Sequence, residues 1–296
     1  MVGVNGKKLG LALGSGGARG SAHVGVLRVL EENGIRPDVI AGASMGAEVG
    51  GAYAAGVSVE ELEALWRTTH VGRVMKTLLP TIPWAGWSSG AEVVRFVRRL
   101  VGDVQIEDLP IPYAAVATDL SSGLCHPITT GSLATAIRAS LSIPGLFTPV
   151  WLDGRLLVDG GVSNPVPVDV AQSLGADVVI GVNVLVRPEE VRLSGIPDWR
   201  DRSLGLTAGG PDDAALALER GRRFYPSVFA VLFQMSTIFQ KRVCDLSLSL
   251  HSPDVVIQPD FSADPPSYGN VGSGIEAGAQ ATRLAIPRIR ELLALP

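Results

Sequence analysis

Cysteine, charge of one sign and long apolar runs are all scarce in this chain, and each scarcity excludes something. The two cysteines, Cys125 and Cys244, stand far apart, and neither belongs to a CxxC motif. Such a pair makes neither a disulfide framework nor a zinc site. Buried thiols in a reducing, cytoplasmic setting are expected. Charged residues make up 18% of the sequence, the formal net charge is −4, and no long run of one sign occurs. Nucleic acid is therefore not an expected partner. No stretch of about 18 uncharged apolar residues suggests a membrane-spanning helix. The nearest, SVFAVLFQMSTIF at 227–239, is too short. Lys7 and Lys8 precede LGLAL in the manner of a secretory leader, but that apolar run is too brief for a signal-peptide core.

With 46% hydrophobic residues in 296, the chain can bury a large core. Short apolar runs alternate with helical patterns. LGLAL (9–13), DVIAGA (38–43), IPYAAVATDL (111–120), DVVIGVNVLV (177–186) and DVVIQP (254–259) read as strands. Their Val/Ile runs are continuous rather than alternating, so both faces should be buried. That pattern predicts an α/β fold with a central, mainly parallel sheet sandwiched by helices. Ser58 and Glu61 form a capping box for a helix, and Ser273 and Glu276 one for the last helix. Ile275, Leu284, Ile289, Leu292 and Leu293 should dock that last helix on the core. A helix over 227–246 carries Val228, Val231, Leu232, Met235, Ile238, Phe239 and Val243 at helical spacing and is expected to be core. Polar Pro/Gly-rich loops at 187–213 and 260–272 do not separate complete patterns. One domain is expected, with its core at about 8–260 and its last helix at about 273–293.

GASMG at 42–46 has the form G-x-S-x-G, lying between a strand and a helix. A turn that tight needs small neighbours, which Gly42 and Gly46 supply, and the helix N-terminus behind Ser44 favours a developing anion. The alternative is a serine that merely caps the helix. LALGSGGARG (11–20) sets glycines at 14, 16, 17 and 20 between another strand and helix. Its backbone N–H groups suit either a phosphate or an oxyanion. The Gly-Lys-Ser/Thr ending of a phosphate loop is missing, and a dinucleotide fingerprint starting at Gly14 would need glycine where Arg19 stands.

A serine nucleophile needs a base, and the four histidines are poorly placed. His23 lies one turn into a helix, His70 ends another, and His126 sits on a hairpin edge. His251 precedes a strand, at the wrong end of a parallel sheet, although its chain order suits a Ser-His-Asp triad. Substitution of each histidine is expected to be tolerated. Asp159 is better placed: after an Asp153-Gly154 turn, RLLV runs out to Asp159-Gly160-Gly161, at a strand exit. Asn164-Pro165 then opens a helix.

GSGGARG at 14–20, GASMG at 42–46 and DGG at 159–161, in that order, resemble the patatin-like phospholipase family, in its compact bacterial branch related to the neuropathy-target-esterase catalytic domain. The resemblance runs from about residue 8 to the last helix. It implies a patatin-like fold, a Ser44–Asp159 dyad without a catalytic histidine, and an oxyanion hole from Gly14, Gly16, Gly17, Ala18 and Arg19. Gly160 and Gly161 complete the aspartate motif; the family's other common form is Asp-Gly-Ala. Arg19 is expected to order its loop or meet an anionic head group. The implied substrate is a lipid ester, with peripheral membrane contact and neither metal nor cofactor. Trp84 and Trp87 could form an apolar rim or an ordinary packed cap. The competing readings are a nucleotide- or phosphate-binding protein and a non-enzymatic regulatory protein on the same fold.

Overall fold

The computed structural model describes residues 6–68, 88–190, 228–261, 267 and 269–295. The strands are β1 (Leu9–Leu13), β2 (Val39–Ala43), β3 (Tyr113–Asp119), β4 (Cys125–Ile128), β5 (Val150–Leu152), β6 (Arg155–Asp159), β7 (Val178–Val182) and β8 (Val255–Ile257). The helices are α1 (Ser21–Glu32), α2 (Met45–Ala54), α3 (Val59–Thr68), α4 (Ala91–Val101), α5 (Leu133–Ser140), α6 (Val168–Ser173), α7 (Val228–His251) and α8 (Gly272–Leu293). The chain divides into two compact units, one of Met1–Leu185 with Arg242–Pro296, the other of Val186–Lys241. In the second, the described residues hold a 3-10 turn at Pro188–Glu190 and the first part of α7, where the Gln234 side-chain amide donates to the Pro188 carbonyl at 2.9 Å.

The first unit is built on one sheet with pairing order β5-β6-β3-β2-β1-β7-β8, with β4 added to β3. The pairs β1–β2, β1–β7, β2–β3 and β7–β8 are parallel, while β4, β5 and β6 pair antiparallel. β1, β2, β3 and β7 are buried throughout. Alternate side chains go to different cores. Leu9, Leu11, Leu13 and Ile40 join the core that holds α1 and α8, whereas Ala12, Ala41, Ala43 and Val116 join the core that holds α6. Hydrophobic side chains on both faces explain the continuous apolar runs of the sequence.

Aspartates at strand entrances help set the register. Asp38 accepts the Leu9 N–H at 2.7 Å, Asp177 that of Lys8 at 2.8 Å, and Asp254 that of Val179 at 2.8 Å. The Asp153-Gly154 turn has φ of 49° and 73°, as a two-residue hairpin requires. The Ser58–Glu61 capping box forms: Glu61 N–H donates to Ser58 Oγ at 3.2 Å and Ser58 N–H to Glu61 Oε2 at 3.0 Å.

Four expectations need correction. Ser273 lies inside α8 and its hydroxyl donates to the Asn270 carbonyl, while Glu276 pairs with Arg28 of α1; no capping box forms there. Leu284 is 80% exposed, because α8 docks through Ile275, Gly278, Ala279, Ile289 and Leu293. Helix α7 is not core along its apolar face. Leu232, Phe233, Phe239, Leu246 and Leu250 are exposed, and in the first unit Cys244 and Leu248 are the residues turned toward the sheet. Helix α6 begins at Val168 rather than at Asn164-Pro165, since the Pro165 carbonyl is held by Ser15 N–H and the Asn164 amide donates to Asp169. Cys244 is buried and Cys125 half-buried, and neither is in a disulfide. His70, Trp84, Trp87 and most of 187–213 lie outside the described residues.

Candidate active site

Two strands end head to head on one edge of β3. β4 occupies the other edge over Ala115–Thr118. The shared edge pairs in parallel with β2 up to Ala43↔Val116, then antiparallel with β6 from Ala117↔Asp159. The last residues of β2 and β6 therefore face adjacent residues of β3. The residue after Ala43 is Ser44, and the outcome is a hydrogen bond from Ser44 Oγ to Asp159 Oδ2 at 2.6 Å. Both side chains are buried.

Ser44 has φ 54°, in the left-handed region that a non-glycine residue occupies only at a cost of roughly 1–3 kcal/mol. Gly42 and Gly46 make this turn possible. A methyl on Gly42 would lie 2.4 Å from the Gly46 carbonyl oxygen, and one on Gly46 would lie 2.1 Å from that of Leu13. The hydroxyl does not cap α2. It points instead at the carboxylate, which sets aside the reading of Ser44 as a simple cap.

Asp159 is fixed on several sides. Its Oδ1 accepts the Gly161 N–H at 2.7 Å, its N–H donates to the Ser142 carbonyl at 3.0 Å, and its carbonyl accepts Thr118 Oγ1–H at 2.8 Å. Burial pushes its carboxyl up to about 6, against the hydrogen bonds from Ser44 and Gly161, which favour the charged form. The group is thus more basic than an ordinary carboxylate yet mostly ionised at neutral pH.

The glycine loop packs against residues next to both partners, Gly161 beyond Asp159 and Met45 after Ser44. A methyl on Gly161 would meet Ser15 Oγ at 2.6 Å, and one on Gly20 would meet the Met45 Cβ at 2.6 Å. Within the loop the donors are fewer than the sequence suggested. The N–H groups of Gly14 and Arg19 are taken by the carbonyls of Val182 and Gly16. Gly14 and Arg19 thus shape the loop rather than donate from it. The N–H groups of Gly16, Gly17 and Ala18 have no acceptor among the described residues. The same holds for those of Met45 and Gly46 at the start of α2, where the helix dipole adds partial positive charge. The buried Arg19 guanidinium donates to the Leu185 carbonyl at 3.1 Å and lies 4.6 Å over the Phe261 ring, so it orders the loop.

Among the histidines, His251 closes α7 ahead of β8, at the opposite edge of the sheet from Ser44. His126 pairs with Ala117 across the edge of β3 away from Asp159. His23 is fully buried, and its Nε2 lies 2.7 Å from the Gly14 carbonyl oxygen. Burial lowers its pKa to about 4, so it is neutral and donates from Nε2. The only sign of this coupling along the chain is the position of His23 one turn after the glycines. Sequence reasoning also missed Ser140, whose hydroxyl accepts the Ser44 N–H at 2.8 Å.

A sequence model of the patatin-like phospholipase family matches residues 11–171, which contain all three motifs. The chain belongs to the patatin-like phospholipase family. Similar members include an uncharacterised NTE family protein of Mycobacterium tuberculosis, 47% identical over 178 residues, 60% of this chain and 49% of that protein. Patatin-like phospholipase domain-containing protein 7 of Mus musculus is 40% identical over 191 residues, 63% of this chain and 14% of that protein. Neuropathy target esterase sws of Drosophila melanogaster is 38% identical over 187 residues, 61% and 13% of the two chains. The chain spans about half the length of the mycobacterial relative and far less of the animal ones. Among solved structures, VipD from Legionella pneumophila aligns with a TM-score of 0.49 at 13% identity, covering 95% of this chain and 66% of that one. The patatin-like match ends within α6, so β7, α7, β8 and α8 complete the sheet and its cover outside the matched segment.

Proposed function

We propose that this chain is a serine lipid acyl hydrolase, of phospholipase or lysophospholipase type, working through a Ser44–Asp159 dyad. The observation that carries the reading is the 2.6 Å hydrogen bond between Ser44 Oγ and Asp159 Oδ2 at a strained, buried turn. Membership of a phospholipase family supports the substrate class. Ser44 Oγ attacks the acyl carbonyl carbon while its proton passes to Asp159 Oδ2. The N–H groups of Gly16, Gly17 and Ala18, with those at the start of α2, meet the oxyanion. Collapse breaks the ester C–O bond, the leaving oxygen takes the proton from Asp159, and Ser44 remains acylated. Water then gives a proton to Asp159 as it attacks the acyl carbon, and the second collapse frees the acid and returns the proton to Ser44.

Peripheral contact with a lipid surface belongs to the same reading. No helix among the described residues is long and apolar enough to cross a membrane. Ile143 and Val162 are exposed apolar residues that directly follow Ser142 and Gly161, two of the residues that hold Asp159. Leu120 and Leu124, at the two ends of the turn between β3 and β4, add exposed apolar surface.

The test pairs Ser44→Ala, Asp159→Asn and His251→Ala on a short-chain nitrophenyl ester and a fluorophosphonate probe, with folding followed by thermal melts. The first two should be folded and nearly dead, and Ser44→Ala should take no label. His251→Ala should turn over normally. A labelled, active Ser44→Ala chain, or a dead but folded His251→Ala beside an active Asp159→Asn, would overturn the dyad. Profiling of lipid products from active and Ser44→Ala protein then identifies the bond cut.

A further inference from the structure

The side chain of Ser140 is fully buried at the last position of α5. Its hydroxyl donates to the Val116 carbonyl at 2.6 Å and accepts the Ser44 N–H at 2.8 Å. Val116 is the β3 residue paired with Ala43, the last residue of β2. The hydroxyl thus stands between a donor and an acceptor at the point where the β2–β3 ladder stops. It satisfies both groups while the chain leaves the ladder for the left-handed turn at Ser44. Just beyond it, the Ser142 carbonyl accepts the Asp159 N–H at 3.0 Å. One short segment therefore holds the backbone of both members of the dyad.

That segment is itself anchored. Arg138 is buried and donates to Ser142 Oγ at 2.5 Å, to the Ser89 carbonyl at 2.8 Å and to the Thr148 carbonyl at 2.7 Å. Its guanidinium lies 5.1 Å over the Phe147 ring. Nothing in the chemistry above uses Arg138, Ser140 or Ser142 directly. Their bonds fix where the end of α5 sits relative to β2 and β6.

We infer that Ser140 is a positioning residue of the proposed dyad: its hydroxyl holds the Ser44 backbone so that Oγ stays within hydrogen-bond reach of Asp159. The inference rests on the dyad reading. Without the hydroxyl, the Ser44 N–H and the Val116 carbonyl lose their common partner. The turn can then relax, and Oγ drifts from the carboxylate. A shift of about 1 Å at a reacting group costs on the order of 10²-fold in rate. The loss falls on the chemical step, because Ser140 is fully buried and both bonds of its hydroxyl go to backbone, those of Ser44 and Val116.

Ser140→Ala and Ser140→Cys are compared with wild type, Ser44→Ala and a remote control, Thr282→Val, which removes a buried hydroxyl from α8. The readouts are melting temperature, kcat and KM for a nitrophenyl ester, and the rate of fluorophosphonate labelling. Ser140→Ala should lower kcat and the labelling rate together by roughly 10- to 100-fold, with KM within about threefold of wild type. Ser140→Cys, close in shape but a weaker hydrogen-bonding group, should fall between. Thr282→Val should lower the melting temperature and leave kcat unchanged. A folded Ser140→Ala with kcat within about threefold of wild type overturns the inference. So does loss of the fold in both Ser140 variants, which would make the hydroxyl a folding group. Failure of the dyad reading shows separately, as turnover and labelling that survive in Ser44→Ala. A wild-type chain that neither turns over nor labels overturns both.

Discussion

Ala43 and Asp159 end their strands against adjacent residues of β3, Val116 and Ala117. The pairing brings the two carriers of the proposed chemistry together from 115 positions apart in sequence. It also makes the glycine after Asp159 critical. A methyl on Gly160 would lie 2.0 Å from the Val116 carbonyl oxygen, a backbone atom that cannot step aside without moving β3. Gly160→Ala should lower stability by about 1–3 kcal/mol and activity by roughly 10²-fold. Gly161→Ala should cost less stability, because its methyl meets side-chain atoms, Ser15 Oγ at 2.6 Å, Ser15 Cβ at 2.9 Å and Asp159 Oδ1 at 3.0 Å, rather than the backbone of β3. By crowding Asp159 it should still lower kcat. Melts and kcat on the two variants check the contrast; equal losses of stability would mean that close approach to β3 is not what the glycine provides.

The glycine loop is predicted to act through backbone donors. Gly17 has φ 55°, and a methyl on Gly16 would meet the Val184 carbonyl oxygen at 2.7 Å. Bulky substitution at either position moves the free N–H groups of 16–18 and should reduce kcat by about 10²-fold or more, the scale of one lost oxyanion donor. KM should change less. A rise in KM alone would assign the loop to ground-state binding.

Much of this was legible beforehand, for identifiable reasons. The parallel core announces itself in Val/Ile runs, and the elbow in the small residues around Ser44. Asp159 was legible because a hairpin turn and a glycine pair bracket it. What failed was inference from hydropathy alone. Phe233, Phe239 and Leu246 are apolar yet exposed, because periodicity shows that a helix has an apolar face and not that anything covers it. Ser140 and Arg138 escaped notice because nothing local distinguishes them. Their roles exist only once β2, β3 and α5 have been brought together.

His23 is where the expectation that every histidine is dispensable is put to its sharpest test. It is neutral and buried, and it donates to the Gly14 carbonyl at the entrance to the loop. His23→Phe removes that donor and strands the carbonyl, at a cost of about 1–3 kcal/mol. The disturbed loop should also lose kcat on the order of 10-fold. His23→Gln keeps an N–H and should recover part of both. If His23→Phe melts early but keeps full kcat, the bond serves folding alone.

The pH dependence of stability offers a separate check, because His23 and Asp159 pull in opposite directions. Burial raises the Asp159 carboxyl from 3.8 to about 6. Its folded pKa lies above the unfolded one, so its contribution is complete below about pH 4 and is lost as pH rises through about 6. Burial lowers His23 from 6.5 to about 4. Its contribution is complete above about pH 6.5 and is lost as pH falls through about 4. Each shift corresponds to something on the order of 3 kcal/mol, so the two largely cancel in wild type between pH 4 and 6.5. Asp159→Asn removes one side of the balance. Relative to wild type, this variant should gain stability as pH rises from about 4 to 6, then hold a constant difference. The difference between the two chains cancels every other titrating group, including Glu48, which burial raises to about 7. Urea melts of both proteins at half-unit steps from pH 4 to 8 read the difference directly. In the same series, wild-type kcat/KM should fall below about pH 6 as Asp159 takes up a proton and can no longer accept one from Ser44. A flat stability difference, or an activity limb near pH 4, would mean that Asp159 titrates as an ordinary carboxylate and is not held as a base by its burial.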